Sequence, residues 1–135
     1  VSETVAAITL ANLPAVPGTT FEGGIYAGVT SGLDGYPVGH LVLLPDKPAN
    51  LMNWANAKAW AEGLGAGARL PSRAESALLY ANLREQIDDT RWHWTGTEFD
   101  ASYAWYCYFN DGGQFSNHKS YEGCARAVRL IPLSV

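Results

Sequence analysis

Reactive side chains are sparse in this chain, and they gather between Trp92 and Leu133. That stretch holds three of the five Trp, four of the seven Tyr, two of the three His and both Cys, so any working surface is expected there. The thiols, Cys107 and Cys124, have the wrong spacing for a zinc knuckle or a redox Cys-x-x-Cys pair. On antiparallel neighbouring strands they would face each other and could close a disulfide. As two free thiols they fit a reducing cytosol, and only geometry decides between these readings. Asp88 and Asp89 are adjacent carboxylates, but they follow a helix end and read as a solvated turn. His93 and His118 have no recognisable partner for metal or triad work. No Gly-x-Ser-x-Gly, His-Glu-x-x-His or phosphate loop occurs. The chemistry on offer is recognition. Tyr103, Tyr106, Tyr108, Asn110, Asp111, Phe115, Asn117, His118 and Tyr121 are the candidate ligand-binding residues. Tyr supplies rigid amphipathic area, and Asn, Asp and His supply adaptable polar contacts. No catalytic residue, metal ligand or cofactor is assigned, and the chain reads as a non-enzyme.

The bulk numbers narrow the partners. With 135 residues the chain makes one domain, large enough to bury a core. Thirteen acidic residues against nine basic ones give a net charge of -4, which argues against nucleic acid, since phosphate binding needs clustered Lys and Arg. No segment is both apolar and long enough to span a bilayer, and no basic region followed by an apolar run marks a signal peptide. The start at Val1 fits a trimmed or processed chain, or a part of a longer protein.

The elements that must position these residues follow from periodicity. Residues 1–20 read as an N-terminal arm or edge strand, broken at Pro14 and Pro17-Gly18, and residues 21–135 as the domain. Phe21 to Val29 and Tyr36 to Leu44 read as two strands of a hairpin, joined through Asp34-Gly35, with Leu41 to Leu44 buried. A first helix is expected over Trp54 to Leu64, capped by Asn53, with Trp54, Ala57, Ala61 and Leu64 on one face and Gly65 just past its end. A second opens at the capping box Ser72-Arg73-Ala74-Glu75, turns Ala74, Leu78, Ala81 and the Leu83 region inward, and ends near Arg84 or Glu85. Both helices are expected to lie closely on a sheet, because Ala dominates them.

Beyond Asp89 the period becomes two. Trp92 and Trp94 share a strand face that reads as core, although paired indoles can also stack a sugar. In the next strand Tyr103, Trp105, Cys107 and Phe109 alternate with Ala104, Tyr106 and Tyr108. With Trp105 inside, Tyr106 and Tyr108 would point at solvent, a helix or a subunit neighbour. Asn110 to Gly113 form a hairpin turn, Gln114 to Asn117 a short return strand, His118 to Gly123 a polar loop, and Cys124 to Ile131 a last strand. Arg126 and Arg129 are expected on opposite faces of it, one buried and paired with an acid such as Glu98 or Glu75.

Several motifs occur together in order: Phe21-Glu22-Gly23-Gly24-Ile25-Tyr26-Ala27-Gly28, Asn53-Trp54-Ala55-Asn56-Ala57, Leu70-Pro71-Ser72-Arg73, and Leu78-Leu79-Tyr80-Ala81-Asn82-Leu83. Trp92 to Glu98, Tyr103-Ala104-Trp105-Tyr106, Asp111-Gly112 and Ala125-Arg126-Ala127-Val128-Arg129 complete them. With these motifs, nearly the whole chain resembles the prophage-type domains of unknown function related to the C-terminal domain of the Legionella collagen-like protein. The resemblance implies an α+β, C-type-lectin-like fold related to that of formylglycine-generating enzymes. It implies small mixed or antiparallel sheets, two helices and a loop-rich C-terminal face. Members are often encoded in phages and prophages, which implies a virion tail or the bacterial cytoplasm as location. Some members are variable proteins of diversity-generating retroelements, which randomise residues on that face to bind new ligands. From Phe99 to Gly123, 19 of 25 residues belong to the eight types such mutation readily yields (Asn, Tyr, His, Asp, Ser, Cys, Phe and Gly). Aromatic strands joined by polar turns produce the same alphabet without a retroelement.

Three functions follow as expectations. The first is a ligand-binding, receptor-binding or display module that takes a protein or glycan, such as one on a host cell surface. The second is a structural virion or assembly domain using the same face to form a homo-oligomer. The third is an oxidase of the formylglycine-generating type, whose relatives hold copper with a close cysteine pair. Cys107 and Cys124 lie on different expected strands, against that reading. Phe109-Asn110-Asp111 resembles the Trp-Asn-Asp calcium motif of sugar-binding C-type lectins, but the companion Glu-Pro-Asn or Gln-Pro-Asp is absent and the turn explains Asn-Asp. Glu98, Asp100 and Asp111 remain able to meet around a cation in space.

Overall fold

The computed structural model describes residues 16–30, 32 and 35–132. The expectation for residues 1–15, and that for the Asp34 half of the first hairpin turn, lie outside the described residues. The chain is α+β, with two helices and two antiparallel sheets. Strands β1 (Thr20–Phe21), β2 (Gly24–Val29), β3 (Gly39–Leu43) and β7 (Val128–Pro132) form one sheet in the order β1-β2-β3-β7. Strands β4 (Trp92–Glu98), β5 (Tyr103–Tyr108) and β6 (Gln114–His118) form the other, in that order. Helices α1 (Trp54–Glu62) and α2 (Arg73–Leu83) come between β3 and β4 in the chain, and a 3-10 turn at Arg84–Gln86 follows α2.

Alternation in β3 explains how the core divides. Leu41 and Leu43 join Leu79 and Leu83 of α2, Cys107 and Phe109 in one apolar cluster. Val42 and Leu44 join Trp54, Ala57 and Ala61 of α1, Trp94 and Ala104 in the other. Successive side chains on a strand point to opposite faces, so β3 is buried on both and each helix takes one. Its run of consecutive apolar residues is the sequence trace of that double burial.

The helix starts follow their caps. Asn53 Oδ1 accepts the Asn56 N–H at 2.9 Å at the start of α1. Ser72 Oγ accepts the Glu75 N–H at 3.2 Å, while Glu75 Oε1 accepts the Ser72 N–H at 2.9 Å, completing the capping box of α2. The inward face of α2 keeps the expected Leu83 and otherwise differs from the expected one. Glu75, Ser76, Leu79 and Leu83 are buried, Leu78 is half-buried and Ala81 is exposed. The turn of the helix that buries the two bulky leucines also brings Glu75 against Arg69. Their carboxylate–guanidinium pair is two-pronged, at 2.6 and 2.8 Å.

Three strand expectations need correcting. Phe21 to Val29 is not continuous: Glu22 and Gly23 both take positive φ (50° and 80°) and fold β1 back on β2 as a two-residue hairpin. The second strand begins at Gly39 rather than Tyr36, after Pro37 has removed a donor from the ladder. The last strand begins at Val128. Before it, residues 123–127 cross between the sheets. Met52 bridges Gly123, His93 bridges Cys124, and the Leu44 N–H donates to Ala127 O at 3.0 Å. This crossing segment ties the three-stranded sheet to the four-stranded one.

Candidate binding face

The three-stranded sheet carries the expected site residues, and pleating divides them. In register, Trp94 stands opposite Tyr106 and Tyr106 opposite Phe115, so one row of rings crosses all three strands. Trp94 is fully buried, Tyr106 half-buried and Phe115 exposed, so the row runs from core to solvent. Trp92 packs on it, 5.1 Å from the Tyr106 ring and 4.9 Å from Trp94. Asn117 lies opposite Ala104, with the alternation of the same face, and is half-buried. Trp54 and Trp94 fix this face to α1: the Trp54 indole N–H donates to Thr95 O at 2.8 Å, and that of Trp94 to Met52 O at 3.0 Å.

Trp105 and Tyr106 thus exchange the roles expected for them. Tyr106 packs against the α1-side core, and the fully buried members of β5 are Ala104 and Cys107. Trp105 is half-buried on the other face, covered by the Arg73 guanidinium at 3.6 Å and the Phe99 ring at 5.5 Å. Arg73 Nε in turn donates to Gln114 Oε1 at 2.9 Å, so α2 reaches across to β6 through this stack.

On that second face, Tyr103 at the start of β5 stands opposite His118 at the end of β6. Their rings meet edge-to-face at 5.4 Å, and His118 lies 6.4 Å from Tyr121. His118 Nδ1 is 2.7 Å from Ser120 Oγ, which fixes the imidazole. Phe99 joins this end from the β4–β5 turn, where its N–H and that of Asp100 donate to Tyr103 O. Exposure is 56% for Phe99, 41% for Tyr103, 61% for Phe115 and 57% for Tyr121, which makes these four the exposed large hydrophobic side chains of residues 92–132. Phe99 is absent from the sequence-based set. A Phe inside a Glu-Phe-Asp-Ala-Ser turn has no strand face to bury it, and that was the available signal.

Asn110 and Asp111 lie apart from this group, in the β5–β6 turn. The length of β5, about 17 Å for the five steps between its six residues at ~3.3 Å each, separates them from Tyr103. Asp111 Oδ1 accepts the Gly113 N–H at 2.8 Å, and Gly112 sits against the Tyr80 ring with φ of 78°. Tyr108 is half-buried and lines a shallow hollow with Trp92, Glu122 and Cys124. The expected residues are therefore brought together as two groups: Tyr103, His118 and Tyr121 on one side, and Tyr106, Phe115 and Asn117 on the other.

The carboxylates weighed for a cation are engaged separately. Glu98 pairs with Lys119 at 2.6 Å, whose ammonium holds the carboxyl below its usual range. Asp100 Oδ1 accepts the N–H groups of Ser102 and Tyr103, both at 2.8 Å. Among the described residues, no group of three His, Cys, Asp or Glu side chains is placed to hold a metal.

The cysteines are free. His93 pairs with Cys107 on one side and bridges Cys124 on the other, so β4 lies between them. Two strand spacings are about 10 Å, beyond the ~7 Å that a disulfide spans. Burial pushes the Cys107 thiol up to about 11 and raises that of Cys124 as well. Neither arginine of the last segment has the acid partner expected for it. Glu75 pairs with Arg69 and Glu98 with Lys119. Arg126 is buried and donates to the Gln86 and Leu44 carbonyls, and Arg129 donates to those of Ala66 and Glu22. Both guanidiniums tie backbone segments together.

None of the protein-family models matches this chain, and none of the curated proteins does. Among the described residues, no helix is long and apolar enough to cross a membrane.

Proposed function

We propose that this chain is a non-enzymatic binding module that takes a protein or glycan ligand on its aromatic face. The contact would centre on Tyr103, His118 and Tyr121, with Phe99 beside them. The observation that carries this reading is the exposure of Phe99, Tyr103 and Tyr121 on one side of the sheet, all at 41% or more. Exposed rings on a stiff sheet lose little entropy on binding, and the indoles and Arg73 beneath them hold the support in place. The order of motifs shared with prophage-type domains supports a C-type-lectin-like fold, a phage or prophage origin, and a place in a virion tail or the bacterial cytoplasm. Retroelement diversification fits only the open positions of the stretch, because Cys107 and Phe109 are buried and cannot vary freely. A gene neighbourhood lacking a reverse transcriptase and a template repeat would count against it. A cysteine pair parted by a strand speaks against copper-dependent oxidase chemistry.

A second reading has its own support. β6 is an outer strand of its sheet and carries the exposed Phe115 ring. An outer strand can pair with another copy, as an assembly domain requires. Two measurements separate the readings. Light scattering gives a monomer for a free binding face and a stable oligomer for an assembly surface. Fluorescently labelled chain is then applied to a panel of intact bacteria. The wild type is expected to mark at least one strain. The combined variant Phe99→Ala, Tyr103→Ala and Tyr121→Ala should mark none while keeping its melting temperature. Equal labelling by both would overturn the proposal.

A further inference from the structure

Away from the aromatic face, the loop after β3, the segment leading into β4 and the crossing segment line a half-open cavity of about 530 Å3. Lys47, Asp88, Arg91, His93, Cys124 and Arg126 supply its polar wall. Arg126 is the unusual member. It is only 6% exposed. Its Nη1 and Nη2 donate to the Gln86 and Leu44 carbonyls at 2.8 and 3.0 Å, while Nε has no hydrogen-bond partner among the described residues. The ion pairs among those residues are Arg69–Glu75, Arg91–Asp88 and Lys119–Glu98, so no carboxylate meets Arg126. Asp46 lies near enough to favour its charge but is exposed and forms no ion pair with it. Two carbonyls orient a guanidinium without neutralising it. A buried charge with no counter-ion, and a buried donor with no acceptor, are both costly.

The rest of the wall adds to this imbalance. Lys47 and Arg91 are exposed at the mouth. Asp88 is the single acid on the wall and touches Arg91 only at 3.9 Å. Its Oδ1 is taken by the Thr90 N–H and hydroxyl at 2.9 and 2.6 Å. His93 adds no further charge: burial keeps its imidazole neutral near pH 7, with Nδ1 3.1 Å from the Arg91 carbonyl. Three cations therefore face one carboxylate in a chain whose net charge is -4. Pro48, Leu51 and Ala125 complete the lining, so part of any occupant meets carbon. The volume suits a small organic molecule better than a bare ion. A planar guanidinium matches the oxygens of a carboxylate.

We propose that this cavity is a binding site for a small organic acid, its carboxylate held by Arg126 inside and by Arg91 and Lys47 at the mouth. The test is an NMR titration of the whole chain with sodium succinate at constant ionic strength, beside matched titrations with sodium phosphate and sodium chloride. Saturable shifts are expected at the Arg126 Nε–H and at the His93 and Cys124 amides with succinate. Lys47→Gln and Arg91→Gln, both at exposed side chains, should keep the fold and each weaken binding by about tenfold, the usual scale for one charge-assisted contact. Arg126→Lys keeps the charge but removes the planar guanidinium, and should abolish the shifts. If that variant fails to fold, the two mouth variants still decide. Absence of saturable shifts, saturation by phosphate equal to that by succinate, or binding unaltered in both mouth variants would overturn the proposal.

Discussion

Acid should unfold this protein in a way that His93 dominates. The imidazole is 5% exposed, held between β5 and the crossing segment with the Phe109 ring 5.4 Å away. Burial lowers its pKa from 6.5 to about 4. That value already includes the bond to the Arg91 carbonyl, which opposes the fall, the Arg126 charge, which adds to it, and the Asp88 charge, which opposes it. In the unfolded chain the ring titrates near its ordinary value, so the unfolded state takes up the proton first. Above about pH 6.5 both states are neutral, and the contribution of His93 is fully present. As the pH falls below that value the unfolded state gains, and the loss levels off once the folded ring is also protonated, near pH 4. At ~1.4 kcal/mol per pH unit, the interval is worth up to about 3 kcal/mol, a large part of a typical domain's 5–15 kcal/mol. His40 is also shifted down by burial and adds a loss of the same sign. His93→Gln isolates the effect of His93, because Gln retains polar atoms and does not titrate. Urea unfolding of both proteins from pH 7 to pH 4 should show the wild type losing about 3 kcal/mol more than the variant. Parallel profiles, or a His93 ring resonance that titrates near 6.5 in the folded protein, would refute the reasoning.

Two further substitutions probe the scaffold. Gly123→Ala places a methyl carbon 2.3 and 2.5 Å from Trp92 ring atoms, so it should cost ~1–3 kcal/mol and shift the indole emission; an unchanged melting temperature would contradict this packing. Glu75→Gln leaves Arg69 without its charge partner and weakens the reach back to the Ser72 N–H. Arg69 is only half-buried, so the expected cost in chemical denaturation is about 2–3 kcal/mol, below the full range for a buried pair, and a loss under ~0.5 kcal/mol would count against the assignment.

Local rules made the helices legible. Asn53 and the Ser72–Glu75 box begin α1 and α2 where the sequence places them, because caps answer a need confined to the first turn. The hydrophobic run in β3 likewise announces burial on two faces. What the sequence conceals depends on tertiary context. Ala74, Leu78 and Ala81 make as good an apolar stripe as Leu79 and Leu83, and the Arg69–Glu75 pair helps decide between them. Alternation in β5 gives two sets of residues without saying which is inside. The same period fits Trp105 in or Tyr106 in, and the outcome rests on Arg73, a residue of α2 that arrives to cover Trp105. Phe99 escaped because turn residues carry no periodicity to read. The partners of Arg126 escaped because they are main-chain carbonyls, which every residue possesses and no sequence pattern marks.

The site residues were legible as a population but not as a surface. Tyr103 and Tyr106 are three positions apart, and a strand sends such residues to opposite faces. A ligand meeting Tyr103, His118 and Tyr121 therefore does not meet Tyr106 by the same approach. The row Trp94, Tyr106 and Phe115 has another role: it anchors β6 to the core ring by ring, and only its outermost member is free for contact. The proposed contact surface and its support are consequently made of the same residue types in the same short strands. That is why composition alone gathers the rings into one third of the chain yet cannot divide them between surface and support. The division comes from burial, and burial is set by the two helices, one against each face of the molecule's core.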